Sequence, residues 1–184
     1  MKEFVYEPEA VIETERLLLR PLEKSDALPL FHCISHDREV LKYYLAPYIE
    51  KEEDASADSI AESCRRQKLY CFAVVKKDTG EFIGMLNQCS SPNIYFRNAE
   101  LGYAYGRKYW NCGYATEALK AAIQFMFRHG IHKVTCCHIT ENAASGRVMQ
   151  KAGMLYEGIR PAEMYYRGRY WDTANYYLLN PEDE

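Results

Sequence analysis

The sequence predicts a single α+β domain built on a mixed, mostly antiparallel sheet of about seven strands flanked by helices. Three observations carry that prediction. Residues 70–106 read as an antiparallel meander, with the turn Asp78-Thr79-Gly80-Glu81 between two apolar runs. Residues 98–139 read as strand, turn, long helix and strand, an order that makes the two strands parallel neighbours. Residues 154–179 read as a closing hairpin around Arg167-Gly168.

Taken in order, residues 1–12 read as a loosely held arm, and residues 13–180 as the domain. Arg16 to Pro21 is a strand stopped by proline. Ser25 and Asp26 are set to cap a helix with Leu30, Phe31 and Ile34 on its apolar side, and Asp37 a second, short one. Ser56 opens a helix to about Lys68. Tyr70 to Val75 and Phe82 to Gln88 are the first two meander strands. Gly84 in the second suggests a bulge or close packing, and Pro92 and Asn93 fall in the loop that follows. Ala115, Ala118, Leu119, Ala122, Ile123 and Met126 repeat at the spacing of one helix face, and His129-Gly130 ends that helix. Lys133 to Ile139 is a β-branched strand. Asn142 caps a helix from Ala143 to Ala152, which Gly153 stops.

A chain of 184 residues fits one domain with a substantial core. No apolar run reaches the roughly 18 residues needed to span a membrane, and the first ten residues lack the apolar core of a secretion signal. Seven cysteines without a CxxC argue against a disulfide framework or a zinc site. These features read as a cytoplasmic protein. A net charge of −3 with no basic run makes nucleic acid a poor partner. Most of the 16 tyrosines read as half-buried strand residues. His132, Cys136 and His138 alternate onto one face, but ligands two apart on one strand do not close a tetrahedral site, and no metal is expected.

The segment Tyr109-Trp110-Asn111-Cys112-Gly113-Tyr114-Ala115 joins a strand to the long helix. A loop ending in small residues leaves several backbone N–H groups free where the helix dipole is positive. It is therefore suited to the pyrophosphate of a nucleotide-like cofactor. No GxGxxG follows a strand, so a dinucleotide-binding dehydrogenase finds no support.

Four pieces of the chain, in order, resemble the GNAT superfamily of acyl-CoA N-acyltransferases, most closely its ribosomal-protein N-terminal acetyltransferase (Rim-type) branch. They are Thr14 to Pro21 with Asp26; Glu100-Leu101-Gly102-Tyr103; Trp110 to Ala118; and Asn142-Ala143-Ala144-Ser145 with Lys151-Ala152-Gly153-Met154. The likeness covers roughly residues 13–180. It implies a sheet splayed between its fourth and fifth strands, with acetyl-CoA as cosubstrate in the gap. Tyr103, Ala104 and Tyr105 would line the pantetheine arm, which can stand in for a missing strand. The turn Trp110, Asn111, Cys112, Gly113, Tyr114, Ala115 and Thr116 would take the pyrophosphate, and Asn142 and Ser145 would meet the pantetheine end. Asn142 also reads as a plain helix cap. The sequence departs from the pattern at Asn111, where a glycine is usual, and at Cys112, where a basic residue is usual. Met149 occupies the place of a tyrosine that serves many members as general acid, so the resemblance passes that role to Ser145.

The implied reaction is direct acetyl transfer to a primary amine, either a protein N-terminal α-amine or a small-molecule amine, within a ternary complex. Glu100 is the first candidate for the base and Glu163 the second; Glu157 is weaker and helps shape a turn before Gly158, and Asp172 reads mainly as structural. A central-strand N–H near Tyr103 to Tyr105 would hold the oxyanion. The acceptor mouth is expected from Tyr43, Tyr44, Tyr48, Tyr165, Tyr166 and Tyr170, with acids at Glu50, Glu52, Glu53 and Asp54. An aromatic, acidic mouth suits a cationic amine. A homodimer stays open. The competing reading is a non-catalytic acyl-CoA-binding or regulatory domain, supported by Met149 and the altered loop.

Overall fold

The computed structural model describes residues 4–90 and 95–183, and the expected loop at Pro92 and Asn93 lies outside them. The strands are β1 (Ile12–Glu13), β2 (Leu17–Pro21), β3 (Cys71–Lys76), β4 (Phe82–Gln88), β5 (Asn98–Tyr105), β6 (Lys133–Ile139), β7 (Leu155–Tyr166) and β8 (Arg169–Leu179). They form one open sheet in the order β1-β2-β3-β4-β5-β6-β8-β7. The eighth strand, beyond the seven expected, is β1, whose two residues are too few to show a period. Among the described residues, only β5 and β6 run parallel. They pair at Asn98 with Lys133, Ala99 with Val134 and Glu100 with Thr135, and then part. Beyond that point β5 stays paired with β4 through Tyr105, and β6 with β8 through Ile139. The splay thus falls between the fourth and fifth strands when β1 is left out of the count.

The helix α3 (Tyr114–Arg128) covers one face of the sheet. Its buried Ala118, Leu119, Ala122, Ile123 and Met126 join Leu17, Leu19, Phe72, Leu86 and Leu101 in the main core. Each fully buried leucine or isoleucine there contributes roughly 2 kcal/mol. The helix α4 (Ala143–Lys151) packs beside α3. The opposite face is covered by α1 (Ala27–Leu30), a π-helical turn at Phe31–Ser35, a 3-10 turn at Val40–Lys42 and α2 (Asp58–Arg66). Leu22, Leu30, Ile34, Leu41, Ala61, Ala73, Val75 and Met85 form the second core on this side. Strand β3 is buried on both faces, so it reads as a continuous apolar run.

Gly84 is required by close packing. A Cβ there would meet the Ala104 carbonyl oxygen at 2.5 Å and the Tyr105 ring at 2.6 Å. Asp26 is the N-cap residue of α1, as the sequence suggested, but its carboxylate makes no cap bond into that helix and instead supplies the reciprocal half of a capping box with Glu23. It accepts the Glu23 N–H at 2.8 Å and pairs with Arg20 at 2.7 Å. From Val5 on, the arm is docked rather than loose. The Val5 N–H donates to the His129 carbonyl at 3.2 Å, and the Glu7 N–H to the Tyr70 hydroxyl at 2.9 Å.

Candidate active site

The gap between β5 and β6 has a defined polarity. The Glu100 carbonyl accepts from Cys89, and the Gly106 N–H donates to Ile83, so the even-numbered residues of β5 aim their main chain at β4. By alternation, Tyr103 and Tyr105 aim theirs into the gap. Ala104 lines the same cleft, but its main chain belongs to the pairing with Met85. At the far end the Trp110 indole N–H donates to the Tyr105 carbonyl at 2.7 Å and closes the free edge.

Beyond Trp110 the chain turns sharply. Asn111 has φ 60° and Gly113 φ 83°. Asparagine is, after glycine, the residue most at ease in this left-handed region, so the loop keeps its path although the expected glycine is absent. Residues 111–116 donate no backbone N–H to a protein acceptor among the described residues. Cys112 is exposed and its thiol faces the Trp110 carbonyl at 3.4 Å. Glu117, in the first turn of α3, accepts from the Thr14 hydroxyl at 2.6 Å and the Arg16 N–H at 2.9 Å, and pairs with the Arg16 guanidinium at 2.6 Å. Burial works against its charge, yet these donors together hold the carboxyl below the usual carboxylate range. Arg16 also donates to the Cys112 carbonyl at 3.1 Å. The sequence alone did not mark Arg16 or Glu117 as supports of the loop.

Across the gap, Asn142 caps α4, its side chain accepting the Ser145 N–H at 3.4 Å. The Ser145 hydroxyl meets the Tyr103 hydroxyl at 2.9 Å. Burial pushes the Tyr103 phenol up, so it stays protonated. Tyr103, expected to contribute its backbone, therefore also ties β5 to α4 through its side chain. Met149 is buried in the main core.

Glu100 lines the cleft and accepts from the Cys137 thiol at 3.3 Å. Burial, and then the Glu100 charge, push that thiol up to about 12. Glu163 lies farther along the same sheet face. It accepts from Thr173 Oγ1 and from Arg160 at 2.8 Å. Burial opposes its charge, but these donors together hold it below the usual carboxylate range. Of the two candidate bases, Glu163 has its proton-accepting oxygens committed to protein donors.

One cleft of about 1350 Å³ collects Glu100, Tyr103 to Tyr105, Trp110, Asn111, Gly113, Ala115, Thr116, Asn142 and Ser145. Cys112, Tyr114 and Glu163 lie outside its lining. The end where the acceptor was expected is walled by Glu39, Tyr43, Tyr44 and Met164. None of the expected acids Glu50, Glu52, Glu53 and Asp54 lines it. Glu52 pairs with His32 at 3.2 Å and Glu53 with Lys51 at 3.3 Å, away from the cleft. Tyr48 stacks on His36, and Tyr165 and Tyr170 lie against each other. Tyr166 instead donates to the Leu41 and Tyr44 carbonyls at 3.1 and 3.2 Å, pinning the β7–β8 hairpin over the wall. His132 pairs with Asp183, and Cys136 is buried in the core. Among the described residues no three metal-ligating side chains converge.

The site fits a CoA-like cosubstrate. The gap presents strand donors and acceptors, the loop presents free N–H groups, and the buried Tyr105 hydroxyl beside it has no partner among the described residues. Comparisons with known proteins agree. Residues 16–155 match the family model described as the acetyltransferase (GNAT) domain. The uncharacterized N-acetyltransferase YoaA of Bacillus subtilis is 30% identical over 94% of this chain and 98% of its own length. The ribosomal protein uS5-alanine N-acetyltransferase of Escherichia coli is 26% identical over 95% of this chain and 93% of its own. A crystal structure of a GNAT-family acetyltransferase from Bacillus anthracis superposes with a TM-score of 0.80, at 26% identity, over 93% of this chain and 99% of that one.

Proposed function

This chain belongs to the GNAT family of acetyltransferases, and from that premise we propose that it moves the acetyl group of acetyl-CoA directly to a primary amine in a ternary complex. The acceptor class we favour is a protein N-terminal α-amine, because a relative aligned over nearly the whole chain, from E. coli, is an alanine N-acetyltransferase of a ribosomal protein. The observation that carries the reading is the parting of β5 from β6 after Glu100, in line with the free N–H groups of residues 111–116. We place the reaction in the cytoplasm, in keeping with seven free thiols.

Bound acetyl-CoA supplies an activated acyl carbonyl and a thiolate leaving group. The N–H groups of Tyr103 and Tyr105 face the gap and can donate to the oxygen where charge develops. Glu100, at the last position where β5 pairs with β6, receives the proton of the acceptor ammonium, directly or through a water. The second proton, shed by the nitrogen as the amide forms, passes by way of the Ser145 hydroxyl to the departing sulfur, and Tyr103 holds that hydroxyl in place. Cys137 is unsuited to carry the acetyl group itself, since its thiol stays protonated. That favours direct transfer over an acyl-cysteine route.

The test is thiol release from acetyl-CoA by the full chain, with N-terminal peptides and small amines as acceptors. Release with peptides that carry a free α-amine, abolished by blocking that amine, supports the reading. Cofactor binding without release for any acceptor overturns it in favour of a binding domain.

A further inference from the structure

Three cations line the cleft on the cofactor side, and none of them has an ionic or hydrogen-bond partner among the described residues. They are Lys120 of α3 and Arg147 and Lys151 of α4. All three side chains are exposed. The contrast with the neighbouring charges is sharp. Arg16 is spent on Glu117 at 2.6 Å, and Glu141 is held by Arg169 at 3.2 Å. Lys42, the other cation in the lining, lies over the Tyr43 ring at the acceptor end.

Their placement separates them from the loop. Lys120 is six residues past the first residue of α3, about 9 Å along the axis. Arg147 and Lys151 are one turn apart and share a face of α4. Since α3 and α4 pack together, the three cations line the cleft from two adjoining helices. The loop itself carries Asn111 and Cys112 where a basic residue is usual, so it offers N–H groups but no formal charge. An anion on the loop and a second anion more than a helical turn away would both be served.

We infer that Lys120, Arg147 and Lys151 form the subsite for the ribose 3′-phosphate of coenzyme A, apart from the pyrophosphate on the loop. This rests on the acetyl-CoA reading above and deepens it. A dianionic phosphate monoester among three unpaired cations gains charge-assisted hydrogen bonds, and a ligand that lacks it leaves the cations solvated. The subsite therefore selects CoA over dephospho-CoA.

Calorimetric titration of the full chain with CoA and with dephospho-CoA, which lacks only that phosphate, tests the assignment. Wild type is expected to prefer CoA by about tenfold or more, and the preference should shrink as salt is raised. The triple variant Lys120→Ala, Arg147→Ala, Lys151→Ala should bind both ligands alike, near the wild-type affinity for dephospho-CoA. Its unfolding midpoint should match wild type, because the replaced side chains are exposed. Equal wild-type binding of the two ligands, or a preference kept by the triple variant, overturns the subsite while leaving the CoA reading standing. Failure of wild type to bind either ligand overturns both.

Discussion

The Tyr103 hydroxyl stands 2.9 Å from the Ser145 hydroxyl, reaching from the central strand to the helix on the far side of the gap. The pair is 42 residues apart in sequence and bridges the opening that the cosubstrate would thread. Burial keeps the Tyr103 phenol protonated, which suits it to hold Ser145 rather than to give up its own proton. Replacing Ser145 with Ala should lower kcat by roughly tenfold, at the weak end of acid catalysis, because thiolate already leaves well. Replacing Tyr103 with Phe should cost about threefold to tenfold, and almost nothing further when Ser145 is already Ala. Additive losses in this cycle would show that the two hydroxyls act separately.

Glu100 and Glu163 share a sheet face but differ in their partners. Glu163 takes donors from Thr173 and Arg160, whereas Glu100 accepts from a thiol, a weak donor. Glu100→Gln should therefore lower kcat by about a hundredfold or more while the dissociation constant for CoA stays within roughly twofold. Glu163→Gln should chiefly lower the unfolding midpoint, by loosening Arg160 and Thr173. Turnover of Glu100→Gln that matches wild type across the pH range would move the base to Glu163.

What the sequence made legible follows the range of the interactions involved. The long helix, the Gly113 turn and the Asn142 cap are local, and each has a period or a cap that reads directly. The cap at Asp26 was legible, but its carboxylate turns back to Arg20 on the preceding strand and to the Glu23 N–H rather than into α1. The tie from Arg16 to Glu117 spans 101 residues and leaves no local signal. The acids from Glu50 to Asp54 were read as part of the mouth from composition alone. Their placement depends on how irregular segments pack, and Glu52 instead meets His32. Asn111 shows the opposite case. A departure from a family pattern looked like a defect in the loop, yet the residue chosen tolerates the backbone angle that the turn needs.

Tyr166 ties down the wall proposed for the acceptor. Tyr166 on the β7–β8 hairpin donates to the Leu41 and Tyr44 carbonyls, and the Trp171 indole N–H donates back to the Tyr166 carbonyl at 2.8 Å. Tyr166→Phe removes the first tie without changing the hairpin's shape. A net loss of about 1 kcal/mol in holding the wall corresponds to roughly a fivefold rise in acceptor KM. Binding of CoA should not change, since Tyr166 is outside the cleft lining. An unaltered acceptor KM would mean that the hairpin does not shape the acceptor site.

Glu117 gives the fold a pH dependence of predictable sign. Its folded pKa lies below its ordinary value of 4.5 because Thr14 and Arg16 outweigh burial. A carboxyl depressed on folding contributes stability that is present above its unfolded pKa. That contribution is lost as pH falls through the folded value. Wild type should therefore lose stability below about pH 4.5, and Glu117→Gln should lose less over the same window. At neutral pH the variant should already be less stable, by about 2 kcal/mol, the usual range for hydrogen bonds to a charged group. The loop should respond as well, because Arg16 loses its ion-pair partner beside the Cys112 carbonyl. Two effects then oppose each other in CoA binding: a looser loop and a guanidinium free to meet phosphate. Denaturant unfolding at neutral and acidic pH reads the first prediction directly. Parallel pH slopes for wild type and variant would place the acid sensitivity elsewhere, with Glu163 the next carboxylate to test.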